Sequence, residues 1–159
     1  MDELLRHLKE NARESTENLA RMLNTTEDDI CARIKVYEEK GVIRGYQAIL
    51  NEDELSLTTV RAVIEVKITP QREGGFNTVA DRIANFSEVE SVHLMSGGYD
   101  LLVFVAGERL QEVSYFVNDR LATIDGVIST STHFVLKKYK DQGVLMDQQK
   151  RSERLLVSP

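Results

Sequence analysis

The chain has 159 residues, room for about one or two domains. Its 42% hydrophobic and 29% charged residues describe a globular chain, and a formal net charge of −6 excludes one that coats nucleic acid or anionic lipid through bulk charge. No apolar run approaches the ~18 residues of a membrane span, the opening Met1 to His7 lacks a basic stretch followed by an apolar core, and the one cysteine, Cys31, excludes an internal disulfide framework, so a cytoplasmic address is expected.

Residues 1–45 read as three short helices. Leu4, Leu5 and Leu8 form one apolar stripe, and Leu19, Ala20, Met22 and Leu23 form a second. Residues 11–15 break the pattern, with Ser15 suited to cap the second helix. A third helix is expected from Thr26, because Thr26 and Asp29 are spaced as a capping box that satisfies two orphan amides. Ile30, Ile34 and Tyr37 give it a core face, and Gly41 ends it. Val42 to Leu50 is rich in strand formers and suits a short strand or wing. Asn51-Glu52-Asp53-Glu54 is a polar connector.

From residue 61 the period changes to two. Ala62, Ile64, Val66 and Ile68 share one face of a strand, with Arg61, Val63, Glu65 and Lys67 on the other. Pro70 to Gly75 reads as a turn, after which Phe76, Val79, Ala80, Ile83 and Ala84 recur at helical spacing. A second strand covers Val89 to Ser96, and Gly97-Gly98-Tyr99-Asp100 turns the chain into a third, Leu101 to Val105, apolar on both faces. Leu110, Val113, Val117, Leu121 and Ile124 line another helix, and Gly126 precedes a fourth strand, Val127 to Leu136.

The order β-α-β-β-α-β is the split βαβ, or ferredoxin-like, arrangement. Its two helices cover one face of the sheet, whereas the third strand asks for burial on both. A second copy of the same sheet is the simplest cover, so the pattern alone predicts a homodimer. Residues 141–159 read as a partly ordered tail, with a short amphipathic stretch around Val144-Leu145-Met146 and Leu155-Leu156-Val157.

Asn11-Ala12-Arg13, Leu19-Ala20, Ile30-x-x-Arg33-Ile34-x-x-x-Glu38-x-x-Gly41-Val42-Ile43-x-Gly45-Tyr46, Ser96-Gly97-Gly98-Tyr99-Asp100 and Gly126-Val127 stand in the order found in the Lrp/AsnC (feast/famine) transcription regulators. The sequence resembles that family over roughly residues 1–140. The resemblance implies an α+β chain: a winged helix-turn-helix over 1–50 that binds double-stranded DNA, a linker over 51–60, and a ligand-sensing, oligomerising βαββαβ (RAM-type) domain over 61–140, with the tail beyond. It further implies dimers that commonly assemble to octamers, and an amino acid or similar small metabolite as effector. No cofactor, metal or membrane partner is expected.

In a helix-turn-helix the second helix of the motif enters the major groove and its N-terminal residues reach the bases. Here the expected set is Thr26, Glu27, Asp28, Arg33, Lys35 and Arg44. Glu27 and Asp28 depart from the hydroxyl and basic residues usual in the resembled family; carboxylates repel phosphates but accept from the exocyclic amine of cytosine. They also complement the macrodipole of a first helical turn. Arg33 matches the family's basic position and leads the candidates for a DNA contact; its alternative is an intradomain salt bridge, for example to a Glu one turn away. Arg44 on the wing and Lys35 are phosphate candidates whose alternative is a solvated face.

The ligand set is Gly97, Gly98, Tyr99 and Asp100, with Ser96 and Thr132 as additions. Glycines permit close approach, amides bind a carboxylate, and Asp100 pairs with an ammonium; the bland alternative is a hairpin turn that needs positive φ. His7, His93 and His133 have no metal-ligand spacing, and the latter two suit a dimer interface. Two other functions compete with the regulator: a small-molecule sensor with weakened DNA binding, and an enzyme on a ferredoxin-like dimer. The enzyme lacks a nucleophile-base pair or a phosphate-cradling glycine loop.

Overall fold

A computed structural model of the chain describes residues 1–55, 58–69 and 75–146. The expected turn over Pro70 to Gly75, all but Gly75, and the apolar Leu155-Leu156-Val157 lie outside them. The chain divides into two compact units, Met1–Leu50 and Asn51–Pro159.

The first unit holds α1 (Glu3–Glu10), α2 (Thr16–Met22) and α3 (Glu27–Glu39). Each starts at a side-chain cap: Asp2 accepts from the Leu4 amide, Ser15 from Asn18 and Thr26 from Asp29. Only half of the expected capping box forms, since the Asp29 carboxylate takes the Thr25 hydroxyl instead. Both α2 and α3 end in Schellman turns. Asn24 (φ 50) and Gly41 (φ 66) occupy the left-handed position, and the Thr25 and Val42 amides reach back to the Ala20 and Tyr37 carbonyls.

Leu4, Leu8, Leu19, Ala20 and Ile30 are buried together, with Leu23, Ile34, Tyr37 and Ile43 packed around them. Met22, read as part of the apolar stripe, is instead 58% exposed: it is the last residue of α2, on the flank facing away from this cluster. The strand expected over Val42 to Leu50 is absent. Its residues are β-formers, but no neighbouring strand in the unit offers them a ladder, and a strand exists only by pairing.

The second unit opens with a 3-10 turn over Glu52–Leu55 and continues β1 (Val60–Ile68), α4 (Asn77–Ala84), β2 (Val89–Leu94), β3 (Leu101–Gly107), α5 (Leu110–Tyr115) and β4 (Val127–Phe134). After Tyr115 the helix widens over Phe116–Leu121, where the Ala122 amide bonds the Val117 carbonyl five residues back. The four strands pair antiparallel in the order β2-β3-β1-β4, the split βαβ order read from the pattern.

Ala62, Ile64, Val66 and Ile68 of β1 and Leu101, Val103 and Val105 of β3 form one buried face beneath Val79 and Ile83 of α4 and Val113, Phe116, Val117, Leu121 and Ile124 of the second helical segment. Leu110, placed on that stripe by spacing, is 50% exposed at the first turn of α5, and Ala84 is exposed at the last turn of α4. Strand register fixes the opposite face: Val63 lies across from Phe104 and His133, and Glu65 from Leu102 and Ser131. Among the described residues the α-helices cover only the other face, and Val63, Leu102 and Phe104 stay half-buried here. His93 packs edge-on against Phe104, and His133 stands 3.5 Å from the Glu65 carboxylate.

Two expected strands end two residues early. Beyond β4, β5 (Lys140–Asp141) and β6 (Val144–Leu145) form a tight hairpin through Gln142 and Gly143, both at positive φ. The amphipathic stretch around Val144 is thus a hairpin arm. Its Met146 carbonyl accepts from the Asn51 side chain, and Arg61 on the uncovered face of β1 grips Glu52 and Glu90. The first contact holds the start of the second unit to the hairpin, and the second holds it to the four-stranded sheet.

Candidate functional site

Two places gather the expected residues. In the first unit, the outward side of α3 presents Glu27, Asp28, Cys31, Ala32, Lys35 and Val36, all exposed. Glu27 accepts from the Thr16 hydroxyl at 3.0 Å, which ties the start of α3 to the start of α2. Lys35 stands 3.9 Å from Glu39 one turn on. Thr26 spends its hydroxyl oxygen on the α3 cap. Arg44 follows the Gly41 turn and lies over it, so that a Cβ built on Gly41 would come within 2.9 Å of the guanidinium carbon.

Arg33 is placed otherwise than the leading expectation had it. Its guanidinium donates to both oxygens of Asp2, at 2.8 and 3.0 Å, and reaches Asp29 at 3.5 Å. The Tyr37 hydroxyl, one turn further along α3, donates to the same Asp2 carboxylate. These donors hold the Asp2 carboxyl at about 2, below the usual carboxylate range: the Tyr37 hydroxyl contributes most, then the Leu4 amide, then Arg33. The intradomain alternative therefore describes Arg33, with Asp2 and Asp29 as partners in place of a Glu. Sequence reading passed over Asp2 and the hydroxyl of Tyr37. An Asp two residues before the Leu4-Leu5 run is a cap signal, but nothing in spacing reveals that a cap also reaches a residue 31 positions away.

In the second unit, Ser96, Gly97, Gly98, Tyr99 and Asp100 make the loop between β2 and β3. Ser96 and both glycines are exposed, while Tyr99 and Asp100 are half-buried. The loop closes an antiparallel β2-β3 hairpin, as the bland alternative had it, but neither glycine has the positive φ that alternative required. A Cβ added at either would meet nothing within 4 Å, which leaves open space above the backbone. Among the described residues, the Gly97, Gly98 and Tyr99 amides donate to no backbone carbonyl. Three consecutive free amides on an open turn suit a carboxylate.

Asp100 stitches the sheet. Its amide bonds the Val66 carbonyl at 3.0 Å, its carbonyl accepts from Met95 at 2.8 Å, and its Oδ2 accepts from the Ile68 amide at 2.8 Å. One carboxylate oxygen is thus committed to β1 before any ammonium arrives. Thr132 does not join this loop within one chain. It sits on edge strand β4 opposite Ile64, on the helix-covered side. Among the described residues no three His, Cys, Asp or Glu side chains converge as metal ligands, and no helix is long and apolar enough to cross a membrane.

These features define an α+β protein in which a capped three-helix unit precedes a four-stranded split βαβ sheet with an open-amide turn. The chain belongs to the Lrp/AsnC family of transcriptional regulators: residues 61–145 match the Lrp/AsnC ligand binding domain. A Bacillus subtilis (strain 168) protein named as an uncharacterized HTH-type transcriptional regulator, YugG, is 42% identical over 99% of this chain and 95% of its own length. A proline dehydrogenase transcriptional activator of Rhodobacter capsulatus is 28% identical over 87% of the chain and 90% of its own length. Among solved structures, a Neisseria meningitidis transcriptional regulator in complex with L-methionine superposes with a TM-score of 0.70 at 27% identity, covering 91% of this chain and 96% of that one. E. coli AsnC, at 21% identity and a TM-score of 0.64, shares the fold over 87% of this chain and 93% of its own.

Proposed function

We propose that the chain is a DNA-binding transcriptional regulator whose DNA binding or assembly is biased by a small amino acid. The observation that carries the reading is the α2-turn-α3 pair, held within a three-helix unit of the right size for a helix-turn-helix, in a chain 42% identical over 99% of its length to a protein named for that motif. In this reading residues 1–50 are the winged helix-turn-helix, the exposed side of α3 faces the major groove, and Arg44, Lys35 and Arg13 approach phosphates. The segment after Gly41 becomes a wing only where pairing is supplied.

The effector's carboxylate sits on the Gly97, Gly98 and Tyr99 amides, with the second Asp100 oxygen and Ser96 beside its ammonium. Thr132 enters only from another subunit. The uncovered sheet face, with Val63, Leu102 and Phe104, packs on a second copy in a cytoplasmic homodimer, and dimers assemble further, to octamers in the family pattern. The effector acts by binding one assembly better than another. It needs no catalysis and no cofactor.

The acidic face of α3 favours a second reading, a sensor with weak DNA affinity. Glu27, Asp28, Glu38 and Glu39 outnumber Lys35 there. One experiment separates the two: selection of bound sequences from a random DNA pool at moderate salt, with and without each of the twenty amino acids. A palindrome with half-sites about one helical turn apart, altered by one amino acid, supports the regulator. No enrichment from a folded oligomer supports the sensor.

A further inference from the structure

We infer that Asp2 is the positioning residue of the DNA-reading helix, and that Arg33 acts through it as a latch rather than as a phosphate contact; this rests on the regulator reading above. A single carboxylate joins three places: it caps α1 through the Leu4 amide, receives Nη2 of Arg33 across both its oxygens, and accepts the Tyr37 hydroxyl one turn further along α3. Arg33 and Tyr37 are spaced i and i+4, so they present one side of α3 to Asp2. That spacing fixes the rotation of α3 about its axis as well as its distance from α1. The rotation decides which residues, Glu27, Asp28, Cys31, Ala32 and Lys35, stand outward.

The latch also explains how Arg33 is occupied. Its side chain is 33% exposed and Asp2's 29%, with Asp29 closing a third contact at 3.5 Å. Releasing the guanidinium to a phosphate would leave the Asp2 carboxylate half-covered with Tyr37 and Leu4 alone. Arg33 spans two carboxylates with two nitrogens of one plane, Nη2 on Asp2 and Nη1 on Asp29, a geometry that the single ammonium of lysine cannot reproduce, whereas either cation serves a phosphate.

The test uses the full chain, its best selected DNA site, and the variants Asp2→Asn, Arg33→Lys, Arg33→Ala and Asp2→Asn/Arg33→Lys. Asparagine still caps α1 through Oδ1, but its Nδ2 stands where Oδ2 accepts from Tyr37, so Asp2→Asn keeps the cap and loosens the contacts to α3. The latch predicts that Asp2→Asn, Arg33→Lys and Arg33→Ala each weaken DNA binding by about five- to tenfold with the slope of affinity against salt unchanged, and that the double variant is no worse than either single one. A phosphate contact predicts the opposite: Arg33→Lys keeps its affinity, Arg33→Ala flattens the salt slope by about one counterion, and Asp2→Asn binds as well as the parent or better. That pattern overturns the proposal. Should the parent chain select no DNA, the regulator reading fails by itself. The latch is then read from thermal unfolding of the first unit, where strictly additive effects of Asp2→Asn and Arg33→Lys overturn it and non-additive effects sustain it.

Discussion

Asp100 holds the sheet and, in the proposed reading, also meets the effector, and the two demands separate experimentally. In Asp100→Ala the Ile68 amide loses its acceptor at the end of β1, where the Ile68 side chain is 3% exposed. Leaving a buried donor unpaired costs about 1–3 kcal/mol, while an amide oxygen in Asp100→Asn still accepts and gives up only the charge-assisted part, roughly half of that. For a domain of about this size 1 kcal/mol moves the melting temperature by roughly 4–8 °C, so the second unit of Asp100→Ala should melt ~5–20 °C below the parent and Asp100→Asn should fall between. Thermal unfolding followed by far-UV circular dichroism, with no amino acid added, reads this directly. If Asp100→Ala melts within about 1 °C of the parent, the carboxylate does not hold the sheet and the stitch argument is wrong. If both variants melt as expected and both also lose amino-acid stabilisation, because the asparagine Nδ2 cannot accept from an ammonium, the residue serves both purposes.

Three further outcomes follow from the first unit. Gly41→Ala places a Cβ on a φ of 66° and against the Arg44 guanidinium, and should lower stability by about 1–2 kcal/mol in urea unfolding. Thr26→Ala removes the acceptor for the Asp29 amide at the start of α3 and should cost about 1 kcal/mol in the same assay. Because the folded Asp2 carboxyl sits at about 2, below its unfolded value near 3.9, its contribution is complete above about pH 4 and is lost as pH falls through 2; Asp2→Asn should abolish that acid step.

The sheet and its helices were legible because period-two alternation in β1 and helical spacing in α4 each expose one apolar face, and burial at Ile64, Val66, Val79 and Ile83 follows from that alone. The caps at Ser15 and Thr26 and the stop at Gly41 were legible for the same local reason. What escaped was set by partners remote in sequence. Val42 to Leu50 has the composition of a strand and no ladder to join. Arg33 has the position of a DNA contact and a carboxylate waiting at residue 2. Asp100 looked like a ligand group, but the Ile68 amide that claims it is 32 residues upstream. The glycines at 97 and 98 suggested a special backbone angle, and instead leave room above ordinary ones.

The widened turn after Tyr115 carries a different kind of information. Val113, Val117 and Leu121 stay in line on the sheet although they step by four residues, because the looser pitch absorbs the drift a regular helix would build up. Such a turn holds about one residue more than a regular helical turn. Removing one from its solvent side, at exposed Asn118 or Asp119, would leave apolar positions spaced by four, three and three, a spacing a regular helix accommodates. The segment should therefore tolerate this deletion where most helices do not, and chains of the same descent should differ in length there without disturbing the core.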